Sequence, residues 1–187
     1  MLRAREPITL RALVAGTGVS TMAVYTYFGD LDGLWRALRQ EGFRHLGERF
    51  ASVPVTDDPL QDLATLVVAY LDTAFDLPDL FDVMFDATVE LDDLPAADAV
   101  FEVMVSAVRR ARDRGVLSAE TDPLALATQA WVIGHGLASL VATGPLARET
   151  LDLGPALLVA LLLSAGAEPA ACRVSVERGW RRLRVGG

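Results

Sequence analysis

The 187-residue chain has no lysine, no asparagine, a single cysteine and only two histidines. One cysteine, Cys172, allows no internal disulfide, as is typical of proteins in a reducing compartment. Two histidines and one cysteine are few ligands for a transition metal, and we expect neither a metal nor a cofactor. No apolar run reaches the roughly 18 residues that a membrane-spanning helix needs, and no signal peptide follows the first arginines. These absences predict a cytoplasmic protein without a membrane segment.

Enzyme motifs are missing as well. The sequence contains no Gly-x-Ser-x-Gly, no phosphate-binding loop and no Gly-x-Gly-x-x-Gly, the usual signatures of acyl transfer, phosphoryl transfer and dinucleotide binding. The acidic pairs Asp57-Asp58 and Asp92-Asp93 stand beside prolines in predicted loops, where solvation accounts for them. The chain is therefore predicted not to be an enzyme.

The net charge of −8 is distributed unevenly. Residues 1–50 carry seven arginines against five acids, and residues 109–187 carry ten arginines against seven acids. Residues 51–108 carry thirteen acids and no basic residue. Such asymmetry indicates two functions in one chain, and only the first block suits a polyanion. The acidic block fits either solvated helix faces or a surface that favours a cationic, lipophilic ligand.

Long segments repeat apolar residues at spacings of three and four, and strand signals are scarce, which predicts an all-α fold. The Pro- and Asp-containing stretch 52–58 separates an N-terminal domain, residues 1–51, from a C-terminal helical domain, residues 58–187. Cap residues, prolines and glycines bound the predicted helices. These helices span 9–15, 20–27, 31–50, 59–75, 78–89, 95–114, 123–143 and 154–168. The arginine-rich tail 170–187 is predicted to add one or two turns.

The first predicted helices are arranged as a helix-turn-helix. Gly18 stands where the backbone turns sharply, and Ser20 caps the second helix. Val14, Val24 and Phe28 are the apolar residues expected to pack the helices crosswise. In this motif the second helix enters the major groove of DNA, and tyrosine hydroxyls near its end can bind phosphates.

The stretch TLRALVAGTGVSTMAVYTYFGDLDGLWRAL resembles the DNA-binding signature of the TetR family of bacterial transcriptional repressors. Farther on, WVIGHG at 131–136 resembles the Trp-x-x-x-His-Gly segment of one C-terminal subclass, whose helix also tends to begin with Asp-Pro, as at Asp122-Pro123. The resemblance implies a homodimer, an operator with two half-sites and a ligand pocket in the C-terminal domain. The expected function is that of a ligand-responsive regulator, a repressor released from operator DNA by a small molecule.

The resemblance also implies roles for single residues. Thr21, Met22 and Ala23 occupy base-facing positions, and Tyr25 and Tyr27 occupy phosphate-contacting positions. The residues assigned to the DNA surface are Thr9, Ser20, Thr21, Met22, Ala23, Tyr25 and Tyr27.

Two departures from the family pattern weaken the expected DNA binding. Leu31 stands where family members commonly carry a lysine, although Arg11, Arg36 and Arg39 are nearby in sequence. Only eight residues precede Thr9, where the family has a full helix, so the first helix is expected to be largely missing. Either the natural chain begins upstream, or a truncation weakens DNA binding.

In both cases we expect Val14, Val24 and Phe28 to be poorly covered and residues 1–187 to bind an operator weakly. The alternative function is a helical dimer that binds a ligand or a protein and has lost or weakened DNA binding.

Large and polar-tipped residues on the later helices are candidates for the ligand pocket. Ordinary core is the alternative interpretation, and the resemblance favours a pocket for an apolar or amphipathic effector. His135 lies four residues after Trp131, so the two share a helix face. The candidates are Tyr70, Phe81, Met84, Phe85, Phe101, Met104, Trp131 and His135.

Two apolar helices are predicted to form the dimer interface. The helix 123–143 is apolar on two sides and 156–163 is apolar all round. Two such helices from each subunit would form a four-helix interface. The predicted interface residues are Leu137, Leu140, Leu158, Leu161 and Leu162.

Overall fold

The computed structural model describes residues 9–86, 88–91 and 93–181. All regular structure in these ranges is helical, which confirms the all-α prediction. The expectation of a largely missing first helix concerns residues 1–8, which lie outside the described residues. The helices are α1 (Leu10–Val14), α2 (Thr21–Phe28), α3 (Leu31–Ala51), α4 (Pro59–Asp76), α5 (Pro78–Met84), α6 (Leu94–Asp113), α7 (Pro123–Ala142), a 3-10 helix (Arg148–Leu153), α8 (Gly154–Ser164) and α9 (Pro169–Trp180).

The first three helices begin at side-chain caps. Thr9 Oγ1, Ser20 Oγ and Asp30 Oδ1 each accept a hydrogen bond from the backbone N–H three residues later, at 3.3, 3.1 and 2.7 Å. Each bond satisfies one of the N–H groups that a helix start leaves unpaired. Between α1 and α2, Gly18 has φ +74°, the left-handed region that favours glycine, as the turn predicts.

Helix α4 is the centre of the C-terminal bundle. All of its residues except Gln61, Phe75 and Asp76 are buried, because α3, α6, α7 and α9 pack around it. A helix that is buried on every side has a nearly continuous apolar sequence, and LATLVVAYL within α4 has this character. The largest fully buried side chains of the bundle include Leu63, Leu71, Met84, Met104, Leu158 and Leu162.

The structure differs from the sequence prediction after Met84 and after Pro169. Helix α5 ends at Met84, not near residue 89, and the tail forms the full helix α9 instead of one or two turns. Helix α9 lies so close to α4 that a Cβ at Gly179 would stand 2.6 Å from the carbonyl oxygen of Gln61. Its buried stripe contains Cys172, Ser175 and Gly179, and such small or polar residues produce only a weak hydrophobic pattern.

Helix α3 packs against both parts of the molecule. Its first half contacts α2, whereas Phe43, Leu46 and Phe50 pack in the bundle core. Gly42 permits the contact with α5, because a Cβ at this position would stand 2.1 Å from Met84 Cγ. The predicted domain boundary at 52–58 therefore follows a helix that packs against both the helix-turn-helix and the C-terminal bundle.

The stretch after α3 is held to the bundle by a buried carboxylate. Asp62 is 3% exposed, and it accepts hydrogen bonds from the Thr56 backbone N–H at 3.0 Å and the Thr56 hydroxyl at 2.7 Å. Arg110 on α6 pairs with the same carboxylate at 2.8 Å. This network joins the stretch after α3 to α4 and α6.

By length and composition, α7 is the one helix of the described ranges that could cross a membrane, with a mean hydropathy of 1.4 over its apolar window and 33% of that window buried. It packs on one side against α4, α6 and α8 of the bundle, and its other side is exposed.

Candidate DNA-binding surface and effector site

Helix α2 presents its large side chains to solvent. Met22 is 70% exposed, Tyr25 52% and Tyr27 80%, which leaves these three side chains accessible to a partner. Thr21 and Ala23 are half-buried. The hydroxyl oxygens of Thr9 and Ser20 accept the cap hydrogen bonds described above, so both residues have a structural role at the helix starts.

The apolar contact between α1 and α2 is small. Val24 is only 4% exposed, against the expectation that it is poorly covered. Phe28 is 39% exposed and Val14 is half-buried, as expected for poorly covered residues of this motif. The five-residue helix α1 contributes no buried residue, because one and a half turns offer little surface to pack against.

One of the arginines expected near the DNA is used inside the protein. Arg39 Nε donates to the carbonyl oxygen of Met84 at 3.0 Å, and its Nη1 donates to the carbonyl oxygen of Val89. Arg39 therefore links α3 to the end of α5, and it does not replace the family's lysine as a phosphate contact. Arg11 on α1 is exposed.

Six of the eight predicted effector residues form one aromatic cluster. Phe85 lies at its middle, with ring centroids 4.7 Å from His135, 5.0 Å from Phe81 and 6.0 Å from Trp131. Trp131 and His135 share one side of α7, as their spacing predicts. Tyr70 and Phe81 are buried, whereas the other rings are half-buried and reach solvent. We call this set, Tyr70, Phe81, Phe85, Phe101, Trp131 and His135, the aromatic cluster.

A chain of hydrogen bonds runs through the cluster. The Tyr70 hydroxyl lies 2.7 Å from His135 Nδ1, and His135 Nε2 lies 3.3 Å from Ser139 Oγ. Burial raises the pKa of Tyr70. Burial lowers the pKa of His135, which keeps the imidazole neutral at neutral pH. The sequence prediction missed Ser139, although it lies four residues after His135 on the same face of α7.

The two predicted methionines belong to the core rather than to an open surface. Met84 and Met104 are fully buried, and Met84 packs against Gly42. Two cavities of the described region, of about 390 and 310 Å³, lie between α3 and α4 and between residues 53–55 and α6. Neither of these two is lined by the aromatic cluster.

The predicted dimer residues divide into two groups. Leu137, Leu158 and Leu162 are buried in the core of the single chain, so they are not available to a partner, contrary to the prediction. Leu140 is exposed and Leu161 is half-buried. The difference arises because the apolar α8 carries leucines on all sides, and only packing decides which side faces inward.

The fold and these two sites define a class of protein, in which an exposed helix-turn-helix is joined through one long helix to a helical bundle with an internal aromatic site. Residues 63–165, more than half of the chain, match the tetracyclin repressor-like C-terminal domain. The chain belongs to the TetR family of transcriptional regulators.

Solved structures agree with this fold. A protein of unknown function from Rhodococcus sp. RHA1 is 24% identical, with a TM-score of 0.63 over 94% of this chain and 84% of that chain. The TetR family regulator PfmR from Thermus thermophilus is 17% identical, with a TM-score of 0.67 over 83% of this chain and 88% of that chain. RolR in complex with resorcinol is 16% identical, with a TM-score of 0.63 over 94% and 86%. A search of curated proteins found no significant match.

Proposed function

We propose that this protein is a cytoplasmic repressor that binds operator DNA as a homodimer through α2 and is released when a small molecule occupies the aromatic cluster. The observation that carries the proposal is the physical connection between the two sites. Helix α3 contacts the DNA-reading helix and, at Gly42 in its middle, packs against Met84, a neighbour of the aromatic cluster.

The exposed side of α2 supports DNA binding. Thr21 and Met22, in its first turn, are assigned to base edges, since recognition helices read bases with their N-terminal residues. Tyr25 and Tyr27 are assigned to phosphates, which position a protein on the duplex without reading its sequence.

Arg39 supports the release step. Its bonds to the carbonyl oxygens of Met84 and Val89 hold both sides of Phe85, the central ring of the cluster. A ligand that displaces Phe85 would disturb these bonds and thereby shift α3 and the helix-turn-helix attached to it. RolR, which shares the fold, has been solved with resorcinol, and this supports a small molecule as the effector here.

An exposed apolar side of α7 and α8 supports the homodimer. Val132, Leu140 and Leu157 are exposed, and a Cβ at Gly136 would meet open space within the chain. A glycine at this position allows close approach of a second helix. We therefore assign the interface to this side, with the half-buried Leu161 at its edge.

Sedimentation tests the interface. Gly136→Leu adds a bulky side chain where the single chain has room, so it should leave the fold intact and convert the dimer to a monomer in analytical ultracentrifugation. Ser118→Ala, which changes an exposed residue between α6 and α7, is the control. An unchanged dimer mass for Gly136→Leu would refute this placement.

Operator binding tests the function. Fluorescence anisotropy should be recorded with labelled DNA from the region flanking the gene, with this chain and with an upstream-extended version. Tyr27→Phe removes one hydroxyl. We expect its affinity for the operator DNA to be about threefold to tenfold weaker, because one net hydrogen bond contributes about this factor. The control Ser118→Ala should bind like the parent chain.

Two observations favour a second candidate function, a helical ligand- or protein-binding dimer with weakened DNA binding. Arg39 is engaged inside the protein, and Phe28 is more than a third exposed. If neither the chain nor its extended version forms a salt-sensitive, sequence-specific complex, the repressor proposal fails and this second candidate stands.

A further inference from the structure

We infer that the effector is an uncharged aromatic hydroxyl compound, of the phenol or naphthol class, whose ring packs in the aromatic cluster and whose hydroxyl binds between His135 and Ser139. The inference rests on the proposed effector function and specifies its chemistry. Its basis is the geometry of the hydrogen bonds in the cluster, the exposure of the rings and the charge around them.

The hydrogen bonds of His135 leave a donor and an acceptor for a ligand in either tautomer. The Tyr70 hydroxyl lies 2.7 Å from His135 Nδ1, and a neutral imidazole has one N–H donor and one acceptor nitrogen. When Tyr70 donates to Nδ1, Nε2 carries the hydrogen and donates, and the Ser139 oxygen accepts. When Nδ1 donates to Tyr70, Nε2 accepts, and the Ser139 hydroxyl donates.

The pair of His135 and Ser139, at the end of these hydrogen bonds, is suited to a ligand hydroxyl. The distance of 3.3 Å between His135 Nε2 and Ser139 Oγ exceeds the usual 2.9–3.0 Å of an N–H···O bond. Both residues are half-buried, so a small molecule can reach them. A ligand hydroxyl can accept from one of the two partners and donate to the other in either tautomer, whereas a carbonyl can only accept. The pair is thus complementary to a group that is both donor and acceptor.

The surrounding rings favour an aromatic ligand. Phe85, at the end of α5, and Trp131, on α7, are half-buried and contact the His135 ring, and the half-buried Phe101 on α6 contacts Trp131. Aromatic pairs in edge-to-face or offset contact are worth about 0.5–1.5 kcal/mol beyond their buried area. The cluster already uses such contacts, with interplanar angles of 62° for Phe101–Trp131 and 68° for Phe85–His135.

The charges disfavour an acid. None of the six cluster residues is charged at neutral pH, because burial lowers the pKa of His135. The stretch that follows Phe85 carries Asp86, Glu90, Asp92 and Asp93 and no basic residue. Arg39, which lies beside this stretch, is already bound to the carbonyl oxygens of Met84 and Val89. A carboxylate ligand in the cluster would therefore be buried without a cationic partner among the cluster residues, which is unfavourable. A cationic ligand would likewise find no carboxylate inside the cluster. The acidic residues after Phe85 would attract such a ligand only from outside the cluster.

Calorimetry with four ligands of one ring size tests the inference. The full chain is titrated at pH 7.5 with 2-naphthol, 2-methylnaphthalene, 2-naphthoate and 2-naphthylmethylammonium. We expect 2-naphthol to bind about threefold to tenfold more tightly than 2-methylnaphthalene, because one net hydrogen bond contributes about this factor to an affinity. We expect 2-naphthoate and 2-naphthylmethylammonium to bind more weakly than both. Equal or tighter binding of an ion or of the methyl compound, or no binding by any of the four, would overturn the inference.

Two variants locate the hydroxyl. Ser139→Ala and Tyr70→Phe should each reduce 2-naphthol affinity by about threefold to tenfold and leave the affinity for 2-methylnaphthalene unchanged. Ser118→Ala should change neither. An equal loss for both ligands would indicate a purely structural role for the hydrogen bonds and would contradict the inference.

The release assay separates this inference from the proposed function. If 2-naphthol binds as expected and operator DNA is not released, the proposed repressor function fails and the ligand class stands. If DNA is released by the naphthoate or the ammonium compound but not by 2-naphthol, the function stands and the ligand class is wrong.

Discussion

The helix-turn-helix and the C-terminal bundle differ in how much of each helix is buried. Val24 is the only buried residue of α1 and α2, whereas α4 is buried over nearly its whole length. Hydrophobic burial therefore stabilises the bundle, while the first two helices depend on their caps and on α3. A surface that reads DNA needs exposed side chains, and this requirement leaves little apolar area for a local core.

The largest expected effect concerns the bundle's buried ion pair. Asp62→Ala removes the acceptor of Thr56 and Arg110, and breaking a buried pair costs about 3–5 kcal/mol of unfolding free energy. Urea denaturation measures the loss. Asp76→Ala is the matched control, because its pair with Arg49 at 2.7 Å lies at the surface, where a pair is worth about 0–1 kcal/mol. Similar losses for both variants would contradict this ranking.

A smaller loss is expected for Leu162→Ala, which opens a cavity in the bundle core at a cost of about 2–5 kcal/mol. Leu157→Ala, on the exposed side of the same helix, should change the unfolding free energy of the monomer by less than about 1 kcal/mol. Denaturation at low protein concentration compares the two. Equal sensitivity would mean that the burial assigned to α8 is wrong.

In the helix-turn-helix we expect a local effect. Val24→Ala removes buried methyl groups worth about 1.5 kcal/mol, at roughly 0.8 kcal/mol per group. Amide hydrogen exchange should become faster in α2 and remain unchanged in α4, because the two regions open separately. If exchange accelerates equally in α4, the helix-turn-helix and the bundle unfold as one unit, and the contrast between them disappears.

The smallest expected effect is a pH dependence in the bundle. Burial holds the pKa of His135 below its unfolded value of about 6.5, so the unfolded chain binds the proton first as the pH falls. Stability should therefore decrease between pH 7.5 and 5.5. The melting temperature of His135→Gln should fall less over this range. The pKa values of Asp86 and Glu168 are lowered by hydrogen bonds from Thr88 and from the backbone of Ala171 and Ala170, away from the range in which His135 titrates.

Much of the local structure follows from the sequence. The helix starts at Ser20 and Asp58 are predictable because a cap residue hydrogen-bonds within its own first turn. The pairing of Trp131 with His135 follows from helix geometry alone. The extent of α9 was missed because three of its five buried residues, Cys172, Ser175 and Gly179, are small, and the burial of Gly179 depends on the close approach of α4.

The dimer residues illustrate the limit of sequence patterns. Leu157 and Leu158 are adjacent and chemically identical, yet one is exposed and the other fully buried. A uniformly apolar helix has no periodicity from which its inward side can be read. Only the positions of the neighbouring helices separate core leucines from those available to a second subunit.

The sequence by itself determined the helical class and the helix-turn-helix with its exposed tyrosines, because these features depend on contacts within a few residues. The aromatic residues were predicted from the family resemblance, and the packing of separate helices brings them together. Tertiary structure alone decided that Arg39 joins α3 to the end of α5, that Asp62 anchors the stretch after α3, and that Ser139 ends the hydrogen-bond chain from Tyr70. Except for the contact between His135 and Ser139 within α7, these interactions join side chains or carbonyl groups of separate elements. Such partners are selected by how the helices pack, which no local pattern records.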